Sequence, residues 1–263
     1  MAKIVDLTRP LVMLDKETFP PALMPLYRII SPDIKHISHD EGAKIMGHIF
    51  NCPKDHLPEG EGWAEDDLSI SSHLGTHVDA PWHYGSTCGG EKAKTVEQIP
   101  LEDLYADAVV LDMTKKEKGS AITVDDVKAA LDAVSYKIKP GDAVLIRTDH
   151  DKFDLMDPMR YAYPGMTRES TLYLMEQGAK IGGTDGFGWD RPFTVMIQEY
   201  AATKDKSKIW DAHYAGREGE FYIVQQLANL DKLPPHGFKV AFFPIPLVGA
   251  SAAQTRAVAF LEP

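Results

Sequence analysis

Residues 73 to 83 read His-Leu-Gly-Thr-His-Val-Asp-Ala-Pro-Trp-His. Three imidazoles and one carboxylate fall within eleven residues. His73, His77, Asp79 and His83 are all odd-numbered, so an extended segment points all four to one face. A helix would align His73 with His77 but leave Asp79 aside. Gly75 and Pro81 also oppose a helix interior. A straight strand, however, sets residues four apart at roughly 13 Å, too far for two imidazoles to share an ion. The chain must bend, and Gly75, lacking a Cβ, is where bending costs least. The reading is a compact metal site on a bent strand or turn, held by His73, His77 and Asp79. Neutral imidazole with carboxylate suits Zn, Mn or Fe. Packing explains one histidine in such a run more readily than three histidines and an aspartate on one parity.

Outward from this run, the chain alternates strand and helix signals. Residues 107–113 (Asp-Ala-Val-Val-Leu-Asp-Met) read as a buried strand. Thr123-Val-Asp-Asp126 opens a helix with a capping-box pattern, and Val124, Val127, Leu131 and Val134 continue its apolar stripe. Residues 143–148 form the next strand. A second helix runs from about Thr167 to Gln177 and stops at Gly178. A short strand at 179–183 follows, then strands near 221–227, 239–245 and 256–261. The pattern predicts an α/β fold with a mixed sheet. Residues 14–68 show few clean periodic runs and read as one long irregular stretch, of a length expected for a functional or oligomer-contact segment. The whole chain, 1–263, is taken as a single domain.

Composition narrows the function. The chain has 263 residues, 44% apolar and 25% charged, enough for a sizeable core. Net charge is −11, from 28 basic and 39 acidic residues. That balance argues against nucleic acid or an anionic membrane as partner, and a neutral small molecule fits best. The first residues carry no apolar signal segment, and no run of 18 apolar residues occurs. With two cysteines, Cys52 and Cys88, the expectation is a cytoplasmic protein with free thiols. Cys88, near the metal run, is read as a loop cysteine rather than a nucleophile.

The run His73-x-Gly75-Thr76-His77-x-Asp79-x-Pro81-x-His83 resembles the signature of the metal-dependent cyclase family, which includes bacterial kynurenine formamidases, isatin hydrolases and some dienelactone hydrolases. Val5-Asp6-Leu7-Thr8-Arg9-Pro10-Leu11 is similar to the family's opening strand. Pro246-Leu247-Val248-Gly249-Ala250-Ser251 and Arg256-Ala257-Val258 resemble its last turn and strand. The resemblance implies a swivelling β/β/α domain and a homodimer, with the 14–68 segment on the partner subunit.

It also implies further site residues. His213 and Gln225 lie twelve apart, where kynurenine formamidases carry a His and a Glu. Those enzymes bind two zinc ions, and the Glu helps hold the second. A neutral Gln225 implies instead one ion per chain, Mn²⁺ with Zn²⁺ as alternative, as in the isatin hydrolases; Gln225 Oε1 completes the shell unless Gln226, or neither, faces the site. His83 and His213 are the candidate proton carriers. Trp63, Trp82, Tyr84, Phe187 and Trp189 are candidate contacts for a flat aromatic substrate, although core packing explains each singly. Asp185 and Asp190, in a turn-rich stretch, read as solvated surface, with orienting groups at the site as the alternative. The expected activity is opening of a cyclic amide, isatin first. The alternatives are kynurenine formamidase, lactone hydrolysis, a non-catalytic metal-dependent binding protein, and a closed structural zinc clamp.

Overall fold

A computed structural model describes residues Lys3–Leu261. Its packing divides the chain into two units, Met1–Pro10 with Gly75–Pro263, and Leu11–Leu74.

The larger unit is built on one nine-stranded sheet. Its strands are β1 (Lys3–Asp6), β2 (His77–Asp79), β3 (Tyr105–Asp112), β4 (Ala143–Arg147), β5 (Ile181–Thr184), β6 (Tyr222–Gln225), β7 (His236–Ala241), β8 (Ala252–Gln254) and β9 (Val258–Leu261). Their spatial order is β1-β9-β7-β3-β4-β5-β6-β2-β8. The four central strands, β3 to β6, run parallel, and every other pairing is antiparallel. Helices joining parallel strands must cross the sheet face. Val124–Ala133 joins β3 to β4, and Arg168–Glu176 joins β4 to β5. Both begin as read from sequence: Thr123 caps Asp126 and Thr167 caps Ser170. Gly178, at φ +103°, then turns the chain out of the second helix.

The two faces of the sheet hold separate cores. Val127, Leu131, Leu174, Trp189, Phe221 and Ile223 pack on the helix-covered face. The other face joins Val5 of β1 to Ala253 of β8 in one cluster. Those strands lie at opposite edges of the sheet, so the sheet curls to enclose this core. Truncating a central side chain such as Leu145 to Ala, in the curled core, should cost about 2–5 kcal/mol.

The Leu11–Leu74 unit corrects the expectation of a wholly irregular stretch. His39–Phe50 is a twelve-residue helix, closed at its start by a reciprocal Ser38–Glu41 capping box. Asp33–Ile37 pairs antiparallel with Glu65–Ser69. Few apolar side chains are buried here, Phe19, Ile30 and Ala43 among them. The helix carries His, Asp, Lys and two Gly among its apolar residues, which blurs its stripe.

Candidate metal centre

Gly75 sits at φ +64°, a conformation that costs glycine little and L-residues more. The bend expected at that position is present. After it, β2 lies between β6 and β8, with His77 opposite Gln225 and Gln254, and Asp79 opposite Ile223. Pairing of directly opposed residues puts His77, Asp79 and Gln225 on one face. Parity fails beyond Ala80. Pro81 starts a short helical turn, Pro81–Tyr84, so His83 is delivered by a helix rather than by strand alternation. Asp79 and His83 bring ligand atoms within 4.8 Å of one another, while His73 belongs to the Leu11–Leu74 unit.

The donors around Asp79 are arranged for a cation. Its carboxylate is fully buried. His77 Nδ1 lies 2.7 Å from the Gly75 carbonyl oxygen, so that nitrogen carries the proton and Nε2 keeps its lone pair. His77 Nε2 in turn faces Asp79 Oδ1 at 3.2 Å. Two lone pairs directed at each other repel unless a cation shares them. Imidazole and carboxylate are the donors that Zn and Mn accept, and a buried carboxylate is costly without a compensating charge.

The opposite side is held by His213. It is buried in the short helix Asp211–Ala215. Asp190 takes the backbone N–H of Ala212 at 2.7 Å and of His213 at 3.2 Å. It also pairs with His213 Nδ1, leaving Nε2 to face Asp79 Oδ2 at 3.5 Å. Burial alone would depress this imidazole's pKa, but the Asp190 and Asp79 carboxylates outweigh it and push it up to about 9. Gln225 Nε2 donates to Asp79 and lies 3.2 Å from His213 Nε2. In this rotamer the amide nitrogen, not Oε1, faces the carboxylate. Gln226 follows at φ +56°, and its carbonyl accepts from Thr76 Oγ1 at 2.7 Å.

The expectation of solvated carboxylates at 185 and 190 is overturned, because both are buried. Asp190 orients His213. Asp185 accepts from Thr148 N, Thr148 Oγ1 and Asp149 N, at 2.8, 2.5 and 2.9 Å. Trp210 has no counterpart among the residues expected from sequence. Its ring stacks on His213 with centroids 4.4 Å apart and meets the edge of His83 at 4.9 Å. Its nearness to His213 in the chain was the available signal.

The expected aromatic contacts separate into groups. Trp189 is core: its Nε1 donates to Thr171 Oγ1 at 3.0 Å, and Gly182 packs beneath its ring. Tyr84 is also buried, and its hydroxyl bridges the Asp79 carbonyl and the Ile223 amide. Both therefore act as framework. Phe187 is buried edge-on to Tyr161 at 5.0 Å. Trp82, on the Pro81–Tyr84 turn, is exposed. Trp63 lies in the Leu11–Leu74 unit, where its Nε1 donates to Glu65 at 3.3 Å. Cys88 and Cys52 are free thiols. Burial pushes the Cys88 thiol up, which removes nucleophilic character.

A curled mixed sheet thus carries a buried His/Asp cluster at its antiparallel flank. A family model described as "Putative cyclase" matches residues 5–191, and the chain belongs to that family. It is 26% identical over 221 residues to an isatin hydrolase of Roseibium aggregatum, covering 77% of each chain. It is 32% identical over 194 residues to a kynurenine formamidase of Maricaulis maris, covering 73% of this chain and 78% of the relative. In structure it is similar to isatin hydrolase A from Labrenzia aggregata bound to benzyl benzoate. That match has TM-score 0.72 and 25% identity, and covers 100% of this chain and 94% of the other. An isatin hydrolase bound to the product analogue thioisatinate shares the fold at TM-score 0.73 and 21% identity, covering 100% and 93%.

Proposed function

We propose that this protein opens a cyclic amide at its C–N bond, with isatin the preferred substrate and one Mn²⁺ per chain. The observation that carries the reading is the pairing of His77 Nε2 with a buried Asp79, beside a His213 anchored by Asp190. The relatives named isatin hydrolase and kynurenine formamidase support the reaction class. We assign His73, His77 and Asp79 as ligands. When bound, a divalent ion supplies Lewis acidity and lowers the pKa of its water. His213 holds a proton at Nε2, facing Asp79, and gives it to the departing nitrogen. Asp190 keeps that ring in the required orientation. His83, 5.6 Å from His213 between ring centroids, is the second proton carrier. Gln225, neutral where a carboxylate would favour a second dication, keeps the site mononuclear.

Mn-loaded protein should consume isatin, followed by its absorbance, faster than N-formylkynurenine, and a chelator should stop the decay. A preference for N-formylkynurenine would move the function to kynurenine formamidase. Bound metal without turnover on either would make the protein a binding module. His83→Ala tests the division of roles: metal retained with turnover lost supports a proton carrier, and metal lost makes His83 a ligand. We further propose a cytoplasmic homodimer in which residues 14–68 contact the partner subunit. Light scattering at micromolar concentration should give twice the chain mass, and a monomer refutes it.

A further inference from the structure

Arg160 lies between β4 and the helix Arg168–Glu176 and takes no part in the proposed reaction. It is 0% exposed. Its Nη1 donates to the His150 carbonyl oxygen. Among the described residues, nothing accepts from its Nε or Nη2, and both atoms are shut off from solvent. Those two nitrogens form one edge of the guanidinium. Elsewhere in this molecule the same edge grips a carboxylate with two bonds. Arg147 holds Asp149 at 2.7 and 3.1 Å, and Arg256 holds Asp6 at 3.1 and 2.7 Å. In Arg160 that edge is buried without an acceptor.

Arg9 adds a second cation. Its Nη1 is likewise buried with no acceptor among the described residues, and its charge bears on Arg160. The neighbouring carboxylates are committed to the backbone. Asp185 is taken by Thr148 and Asp149, and Asp151 accepts from the Asn229 amide at 3.0 Å. Burial, followed by the charge of Arg9, lowers the Arg160 pKa to about 9, although the charges of Asp185 and Asp151 act to raise it. A buried guanidinium is costly unless an anion meets it, and its edge matches the two oxygens of a carboxylate.

We propose that Arg9 and Arg160 form a buried site for a small planar carboxylate. The probe is sodium formate, titrated calorimetrically into the metal-loaded protein and into Arg160→Met. Wild type should show one saturable formate site per chain that Arg160→Met weakens by at least about tenfold. Formate bound to the metal would persist unchanged in the variant and so be told apart. Melting gives a second readout. In formate-free buffer Arg160→Met should melt at or above wild type, because an uncompensated buried charge is gone. Formate should then raise the wild-type Tm alone. Equal formate binding by both proteins, or none by either, would overturn the proposal. A variant that melts lower by the same margin at every formate concentration would also overturn it, leaving Arg160 only a donor to His150. If Arg160→Met fails to fold, Arg9→Met is read by the same two criteria. The outcome is independent of the hydrolase reading.

Discussion

Among the described residues two clusters of ligand-type side chains solve the same electrostatic problem differently. Asp79 with His83 forms one, and Asp149, Asp151 and Asp185 the other. In each, the central aspartate is fully buried. Asp185 is surrounded by donors from its own chain, two backbone amides and one hydroxyl. Asp149 is neutralised by Arg147 and Lys152. That cluster is complete as folded. Asp79 accepts from Gln225 Nε2 but also faces the Nε2 atoms of His77 and His213, and the His77 ring gives its proton to the Gly75 carbonyl from its other nitrogen, Nδ1. Proximity of carboxylates is common to both. What separates a metal centre from a clamp is whether nearby groups donate hydrogen bonds or offer lone pairs.

The largest expected effect separates the two clusters directly. Asp79→Asn should lose the ion and bring isatin turnover to background, with metal content read by mass spectrometry. Asp185→Asn should keep full metal occupancy. Equal metal loss in both variants would erase the distinction.

The proton carrier comes next. His213→Ala should cost about 10²–10⁴-fold in turnover with metal content kept. Asp190→Asn, which loosens the ring and removes a charge that raises its pKa, should cost about 10–100-fold. An Asp190→Asn enzyme as slow as His213→Ala would mean that His213 cannot work without that carboxylate.

Gln225→Glu should raise metal content from near one towards two ions per chain. Two ions in the wild type would refute the mononuclear assignment.

The smallest effect concerns Asp185 alone. Burial outweighs its hydrogen bonds to Thr148 and Asp149 and pushes its pKa from 3.8 up to about 7. The folded state therefore binds that proton more tightly than the unfolded chain does. Its contribution to stability is fully present below pH 3.8 and is lost as pH rises through about 7. Asp185→Asn should cost about 1–3 kcal/mol in acid, and the deficit should shrink towards neutral pH in denaturant titrations. A deficit that grows with pH would reverse the sign and mark the carboxylate as ionised throughout.

Local patterns carried much of this into the sequence. The capping box at Thr123 acts within four residues, so its helix starts as read; the helix after Thr167 also starts where expected, with a box that only the structure shows. The bend at Gly75 follows from the reach of an extended chain. The helices His39–Phe50 and Phe193–Thr203 were not legible: the second buries only Met196, which leaves little periodic signal. Alternation placed His77 and Asp79 correctly but not His83, because Pro81 changed the local geometry from strand to helix.

By itself, the sequence determined the chemistry available: imidazoles and a carboxylate at a bend, on a chain of α/β pattern, with a neutral Gln225 twelve residues after His213. Those are matters of residue type and short-range geometry. Only the tertiary structure decided which groups meet. Asp190 reaches His213 across 23 residues, and Gln225 reaches Asp79 across 146. Trp210 becomes a wall of the site, while Trp189 and Tyr84 enter the framework. Long-range contacts depend on which strands become neighbours in a curled sheet, and no local pattern in one chain encodes that choice.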